Sequence, residues 1–427
     1  MIYCGMKEVV ITPSPGSVMP GYFKERRLTA LKDDLYVKAL AIESDGAVVV
    51  FVVIDALFIL SREVELIRER IRRTVNIPPE RILVSATHTH TGPPIWPGLD
   101  DAYLARLAEQ AADTAIDAYR NRRPARIGFG SGSENEIAFN RRFWMADGTV
   151  RTNPGFVHPE TVRPTGPVDP EVLVVRIDDE HGQPIGVLTN FACHPDTVGG
   201  TEACADYPGE LSRTLKQLLG RDVVSLFIQG ASGNINHCDY TKPKAVAPDH
   251  YRKMGRILAG EVMKVREKIR LSEDYDESVP IEAVNSLFSV ELRKPTALEV
   301  EKARDSLASP TATEMERHLA VRLLQVLDNP ESMARMEVQV VRIGQLVVIG
   351  LPGEIFSEFG LQLKRESGFK HTIINTLCNG TNTGYVCTRE AYDQGGYEPT
   401  LRNLSRNTPE TGELFVQQVQ KLLLKLA

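Results

Sequence analysis

The chain is expected to fold as an α/β protein: a layered, mixed β-sheet core flanked by helices, with its site at the C-terminal ends of strands. Three observations carry that expectation. Short β-branched runs alternate with amphipathic stretches along the whole chain, the pattern of strands and helices built into one layered body. Of 427 residues, 42% are hydrophobic and 25% charged, with 32 Gly and 26 Pro, a globular composition that excludes a disordered, collagen-like or coiled-coil chain. Five apolar runs also end directly in clusters of glycine and polar residues, and in open α/β sheets the loops that build a site converge at such strand ends.

Taken in order, residues 48–54, 81–86, 172–177, 185–191, 223–228, 338–343, 346–349 and 372–376 read as strands, each a β-branched or aliphatic run bounded by polar or turn residues. Among the helices, 61–75 repeats Val64, Ile67, Ile71 and Val75 near a 3.6 period, and 101–119 is rich in Ala and Leu without Pro or Gly. Residues 208–219, 251–270, 297–308, 314–327 and 355–366 also read as helices. The last helix, 409–426, has Thr408 as its cap, Pro409 at its first position and a stripe of Phe415, Val419, Leu422 and Leu426. Residues 128–170, rich in Gly, Pro, Asn and Arg, are expected to form an irregular functional loop, with Phe143, Trp144 and Met145 shaping a pocket. No composition break cuts the chain, so residues 1–427 read as a single domain, with 271–333 a candidate peripheral subdomain of a strand pair and two helices.

Charge narrows the partners. Fifty Lys and Arg against 56 Asp and Glu leave a net of −6, without the basic excess that a phosphate backbone demands, so nucleic acid is excluded. The longest apolar stretch, 47–60, contains Asp55 and falls short of the ~20 residues of a spanning helix, so no transmembrane segment is expected. The opening MIYCGMKEVVITPSPG lacks a basic n-region followed by an apolar h-region, which sets the expectation of a cytoplasmic protein. The six cysteines, Cys4, Cys193, Cys204, Cys238, Cys378 and Cys387, form no C-x-x-C pair. They read as reduced and structural, a thiolate ligand at Cys193, Cys238 or Cys378 being the alternative.

The five strand-end clusters hold the candidate site residues. In ILVSATHTHTGP, His88 and His90 sit at i and i+2, so in an extended segment both imidazoles project to one side and can reach one metal or one substrate. Two buried, hydrogen-bonded histidines are the plainer reading of that pair. In LTNFACHP, His194 follows an apolar run directly, and gains weight only by meeting the first pair in space. Downstream, Asp206 in ADYPGEL could orient a ligating imidazole. In LFIQGASGNINH, Ser232 lies in a Gly-rich turn that departs from the G-x-S-x-G nucleophile elbow, and an oxyanion nest or a simple tight turn fits as well. Glu354, in VVIGLPGEIFSEFG, is expected at the first turn of a helix, as a ligand or merely a cap. The fifth cluster, 377–398, carries Tyr385, Tyr392 and Tyr397, phenols that pack the loop, donate to an oxyanion or bind a metal.

Together these motifs resemble the N-terminal catalytic domain of the neutral (non-lysosomal) ceramidases. The resemblance runs over nearly the whole chain and in the family's order: V-I-T-P-S-P-G with a following G-Y, S-A-T-H-T-H-T-G-P, the N-R of Asn140 and Arg141, F-A-C-H-P, A-D-Y-P-G, G-A-S-G-N, P-G-E and G-Y-V-C-T-R-E-A-Y-D-Q-G-G-Y-E. It implies a zinc ion held by His88, His194, Glu354 and Tyr385, with His90, Arg141 and Tyr397 facing the substrate carbonyl. Ser232 falls where the family has a serine in G-D-V-S-P-N; here the segment is Q-G-A-S-G-N, without that Asp and Pro. The family's C-terminal β-sandwich domain has no counterpart in this sequence.

Two imidazoles, a carboxylate and a phenolate suit zinc and leave a position for an activated water. The implied activity is a zinc-dependent, ceramidase-like hydrolase cleaving a linear N-acyl amide bond of a small-molecule substrate that need not be ceramide. Two rivals stand beside it: a metal-dependent esterase or lactonase on the same site, and a non-catalytic metal-binding protein. A closed structural zinc site needs no Arg141, His90 or Tyr397, which counts against the second.

Overall fold

A computed structural model describes the whole chain except residues 245, 246, 248, 272–277, 381–383 and 427. Part of the fifth cluster and the start of the 271–333 segment lie outside the described residues. Eight strands form one mixed sheet in the order Val224–Gln229, Pro184–Phe191, Glu171–Asp179, Arg123–Ser133, Ile2–Val10, Tyr36–Ser44, Ala47–Ile54 and Ile82–Ala86. Its two outermost pairings are parallel and the others antiparallel. A second sheet of four strands runs Ile281–Glu291, Met333–Ile343, Leu346–Gly350 and His371–Asn375.

The alternation of side chains along each strand builds a four-layered body. Leu40, Ile42, Val49, Phe51 and Val53 point from the large sheet at Ile343, Val348 and Ile373 of the small one. Their neighbours Val37, Ala39, Ala41, Val50, Val52 and Ile54 point the other way, onto helices Ser61–Val75 and Asp101–Arg120. Val172, Val174 and Val187 meet helices Asp206–Leu219 and His250–Lys268 on the same outer face. On the far side, Val338, Val340, Val347 and Ile349 are covered by Ser357–Glu366 and Thr411–Leu423. Strands buried on both faces read as unbroken apolar runs, which is why 47–54 is AVVVFVVI and not an alternating pattern. Among the described residues, no helix is long and apolar enough to cross a membrane.

All eight expected strands are present, with Met333–Ile343 extended at its start. Three others, Ile2–Val10, Tyr36–Ser44 and Arg123–Ser133, escape the sequence reading because polar residues and glycines interrupt them, while Ile281–Glu291 falls in the segment where a strand pair was expected. Lys38 illustrates the reason: it is buried, and its Nζ donates to Ser212 Oγ at 2.8 Å and to the Ser225 carbonyl at 2.9 Å, so a charged residue occupies an interior strand. The expectation that 128–170 is irregular needs correction at its start. Gly128, Gly130 and Gly132 lie in the central Arg123–Ser133 strand, against the helix His250–Lys268 and the residue that follows it. A Cβ there would lie 2.4 Å from Ile269 Cγ2, 2.8 Å from Ile269 Cγ1 and 2.0 Å from Glu261 Oε1, respectively. The glycines report close approach of a helix to a strand, not a loop. Further on, Arg142–Met145, Val150–Thr152 and Thr161–Pro164 form a small sheet of three strands.

Residues 281–343 leave and rejoin the small sheet. Ile281–Glu291 pairs along its whole length with Met333–Ile343, and between them lie helices Ala297–Ala308 and Glu314–Leu324, each opened by a Thr–Glu capping box. The small sheet also joins the two edges of the large one. Beyond its His371–Asn375 strand, Thr376 N donates to the Gln229 carbonyl at 2.9 Å and Thr376 Oγ1 to the Gly230 carbonyl at 2.9 Å. Three residues on, Asn379 N donates to the Val84 carbonyl at 2.7 Å. The segments that follow the two edge strands are thereby brought to one place.

The close packing of Gly130 makes a test. Gly130→Val should destabilise the chain by about 1–3 kcal/mol, the usual cost of overpacking, seen as a lowered denaturation midpoint. An unchanged midpoint would mean that the helix does not press on this strand.

Candidate active site

His88 follows the Ile82–Ala86 edge strand, His194 follows Pro184–Phe191, and the Ser232 turn follows Val224–Gln229. Glu354 and Tyr385 come from the other side of the body, as register partners in a short parallel pair, Glu354–Ile355 with Tyr385–Val386. Glu354 therefore does not sit in the first turn of a helix as expected; the helix begins at Ser357, and a strand pairing sets its position instead.

Each imidazole is held by a backbone carbonyl. His88 Nδ1 lies 2.7 Å from Leu57 O, His90 Nδ1 2.9 Å from Gly21 O, and His194 Nδ1 2.8 Å from Ser232 O. A carbonyl oxygen only accepts, so the proton is on Nδ1 in all three rings and each Nε2 presents a lone pair. His88 Nε2 and His194 Nε2 face each other at 3.1 Å, and Glu354 Oε2 lies 3.4 and 3.3 Å from them. Glu354 Oε2 and His90 Nε2 are buried without a hydrogen-bond partner. One ligand atom from each of His88, His90 and His194 falls within 4.8 Å of the others, an arrangement compatible with metal binding. His88 also adopts a left-handed backbone, φ 77°, and is held there by its N–H on Ala56 O at 2.9 Å.

Burial, then the charge of His88, pushes the His90 pKa down to about 3; burial, then Arg141, pushes that of His194 down to about 4. Burial works to raise the Glu354 carboxyl, yet His88 and His194 hold it well below the ordinary carboxylate range. The Tyr385 phenol is pushed well up by burial and by Glu354, against the pull of Arg141. A phenolate there needs a further positive charge beside it. The donor set, two imidazole lone pairs, a carboxylate oxygen and a phenol, fits a cation such as zinc.

Arg141 is buried beside this cluster. Its Nε donates to Glu398 Oε1 at 2.8 Å, and its Nη2 to Gly233 O at 2.7 Å and to Tyr385 Oη at 3.0 Å. Glu398 is fully buried and also accepts from Arg142 Nη1 and Thr152 Oγ1, each at 2.8 Å. Tyr397 packs edge-on to Tyr385 with centroids 5.8 Å apart. His88, His90, Glu354, Tyr385 and Tyr397 line one cavity of about 180 Å³, with Phe58 and Trp96 among its apolar walls.

Other expected residues take different places. Asp206 orients no imidazole: its carboxylate accepts from Thr197 N, Thr197 Oγ1, Val198 N and Tyr207 N, so it folds the loop after His194. Ser232 is buried outside the cavity lining, with its Oγ accepting from Gln229 Nε2 at 2.6 Å. It touches the cluster through its carbonyl. Phe143 and Met145 pack with Cys238 and Tyr240, and with Trp144 they stay out of the lining, so they do not shape this pocket. All six cysteines are free and buried, and among the described residues none joins the histidine group. Sequence reasoning passed over Glu398, which stood in the G-G-Y-E motif unremarked, and the aromatic wall of Phe58 and Trp96, which carried no signal beyond apolarity.

Neither a family model nor a curated protein sequence matches this chain. Among solved structures it is similar to a ceramidase complexed with C2, with TM-score 0.76 and 17% identity over 100% of this chain and 75% of that one. It is also similar to neutral ceramidase from Pseudomonas aeruginosa, with TM-score 0.74 and 19% identity over 99% of this chain and 75% of that one. The chain has the α/β fold of the neutral ceramidases, in the order of motifs that the sequence resemblance followed.

The Glu398 network yields a pH prediction. Burial opposes ionisation of Glu398, but Arg141 and Arg142 hold its pKa below the ordinary 4.5. A carboxyl lowered on folding contributes stability that is present above its unfolded pKa and lost as pH falls through its folded pKa. Glu398→Gln should cost about 3–5 kcal/mol at pH 7, as expected when a buried pair loses one partner. It should also flatten the fall of stability below about pH 4.5, measured by denaturant unfolding across the acid range. A variant with wild-type stability and slope would refute the charged network.

Proposed function

We propose that this chain is a zinc-dependent amidohydrolase that cleaves the linear amide bond of a small N-acyl amide. One observation carries the reading: two imidazole nitrogens, each ring fixed through Nδ1 by a backbone carbonyl, and a carboxylate oxygen converge within 3.4 Å, a donor set that suits a cation. The likeness to ceramidases, enzymes of N-acyl amides, supports the choice of reaction.

His88 and His194 would hold the ion through Nε2, Glu354 through Oε2, and Tyr385 through its phenol. When bound, zinc supplies Lewis-acid activation of water and of the amide carbonyl. His90 lines the cavity with its Nε2 free, placed to accept a hydrogen bond from the attacking water and orient it. The Tyr397 phenol donates to the carbonyl oxygen as it becomes an oxyanion, more strongly than to the planar substrate, and Arg141, held charged and oriented by Glu398 outside the cavity lining, acts through its hydrogen bond to Tyr385. Ser232 contributes by aiming His194 with its carbonyl. The compact cavity favours a short or slender substrate over one that must be drawn from a bilayer.

Elemental analysis of the purified protein tests the ligand set. Wild type and His90→Ala should carry about one zinc per chain, and His88→Ala and Glu354→Ala should lose it. Wild type without metal, or metal retained in both ligand variants, would overturn the assignment. Activity separates the roles: His90→Ala should lose at least about 10²-fold in kcat on an N-hexanoyl amide while keeping its zinc. Turnover of esters or lactones with none of amides would assign the site to that chemistry instead.

A further inference from the structure

One wall of the cavity carries positive charge without a counter-ion. Arg322, from the helix Glu314–Leu324, and Arg402 line it together with His318, while Glu354, in the ligand cluster, is the sole carboxylate of the lining among the described residues. Arg402 is 9% exposed and lies over the rings of Tyr397, at 4.2 Å, and Tyr385, at 5.2 Å. Its Nη1 donates to the carbonyls of Tyr397 at 2.9 Å and Thr400 at 3.0 Å. Arg322 Nη1 donates to Gln325 Oε1 at 3.3 Å. These acceptors are all neutral, and among the described residues neither guanidinium forms an ion pair. Arg322 is exposed, while Arg402 is buried; of the other buried arginines, Arg68, Arg141, Arg142 and Arg266 each meet a carboxylate, and Arg406, like Arg402, donates to backbone carbonyls. Burial, then Arg322, then Arg402 lower the His318 pKa, so both charges act on a third residue of the same lining.

We infer that the substrate carries a carboxylate close to its scissile amide, and that Arg322 and Arg402 bind it at the mouth of the cavity. This rests on the amidohydrolase reading of the same site. A guanidinium presents a planar fork of donors that matches a carboxylate, and Arg402, stacked on two tyrosines, is already immobilised and partly desolvated. Because Tyr397 and Tyr385 lie beneath Arg402, the anion sits within a few bonds of the carbonyl that Tyr397 polarises. A neutral lipid amide offers this wall nothing. The carboxylate belongs to the amine part or to the acyl part of the substrate, and two pairs of probes distinguish these sources.

The zinc-loaded enzyme is assayed with N-hexanoyl-phenylalanine against N-hexanoyl-phenylalaninamide, and with N-glutaryl-phenethylamine against its terminal carboxamide. In one pair or the other, the carboxylate should be preferred by about ten- to a hundredfold in kcat/KM, the range of a charge-assisted hydrogen bond. Arg322→Gln and Arg402→Gln should each remove most of that preference, chiefly by raising KM for the carboxylate. Arg322 lies on the exposed side of its helix, so its variant keeps the test valid even if Arg402→Gln folds poorly. Hydrolysis of both pairs without preference would overturn the inference and leave the amidohydrolase reading standing. A preference unchanged in both variants would also overturn it, since the carboxylate would then be bound by the metal. If no probe is hydrolysed, the amidohydrolase reading fails, and equilibrium binding of the same pairs decides the anion site: tighter carboxylate binding that Arg322→Gln abolishes upholds it, and equal binding ends it.

Discussion

Three carbonyl oxygens, those of Leu57, Gly21 and Ser232, each take the Nδ1 proton of an imidazole and thereby turn three Nε2 lone pairs toward one another. That choice of tautomer is made by the backbone and not by any acid. It produces a cluster of like-signed groups, two nitrogens 3.1 Å apart and a carboxylate oxygen beside them. Left to itself, such a cluster would drift apart or gather protons. Burial disfavours the charged forms of His90 and His194, and the surrounding chain keeps the groups together. The left-handed backbone of His88 is one visible sign of that constraint, held by a hydrogen bond to Ala56.

The four-layered body supplies the restraint. In the ladder of the large sheet, the edge strands Ile82–Ala86 and Val224–Gln229 have opposite nominal directions, yet the segments after them meet. A twist of roughly 20–25° per strand step across eight strands is about what turns one edge over onto the other. The segment 376–379 then fastens both edges, through Gln229 and Gly230 on one side and Val84 on the other. Asn190 adds a second tie, donating to Ile228 O in its own sheet and to Ile374 O in the small one. The clustered side chains thus come from opposite sheets, and neither sheet alone could bring them together. Gly233 belongs to the same seam: a Cβ there would lie 2.5 Å from the Glu354 carbonyl, so the Ser232 turn and the Glu354 strand touch backbone to backbone.

These particulars explain what was legible in the sequence. Runs such as AVVVFVVI announced strands because strands buried on both faces need apolar residues at every position. Lys38 and the glycines of 128–132 concealed strands, because one is satisfied by partners 174 and 187 residues away and the others are shaped by a helix packed from elsewhere. At the site, residue type and strand-end position were enough to mark His88, His90, His194, Glu354, Tyr385 and Tyr397, which all fall around one cluster. What the letters could not convey was use of the backbone. Asp206 has the side chain of an imidazole partner, but carbonyls perform that task; Ser232 has the side chain of a nucleophile, but its carbonyl is what reaches His194. Glu398 was missed for the converse reason, as its importance depends on Arg141 and Arg142, 257 and 256 residues earlier.

The walls of the cavity decide how strongly these charges act. Phe58 and Trp96 pack edge to face at 4.7 Å on one side, and Tyr385 and Tyr397 do so at 5.8 Å on the other. Such walls offer few dipoles to screen a charge, so the field of Arg141 and of a bound cation reaches a carbonyl in the cavity with little loss. The same dryness makes every unpaired charge costly, which is why Arg141 is anchored to a fully buried Glu398 before any substrate arrives. Arg402 has no such anchor and only neutral carbonyls for company. On the inference drawn above, the carboxylate of the substrate supplies the negative partner that Arg402 lacks.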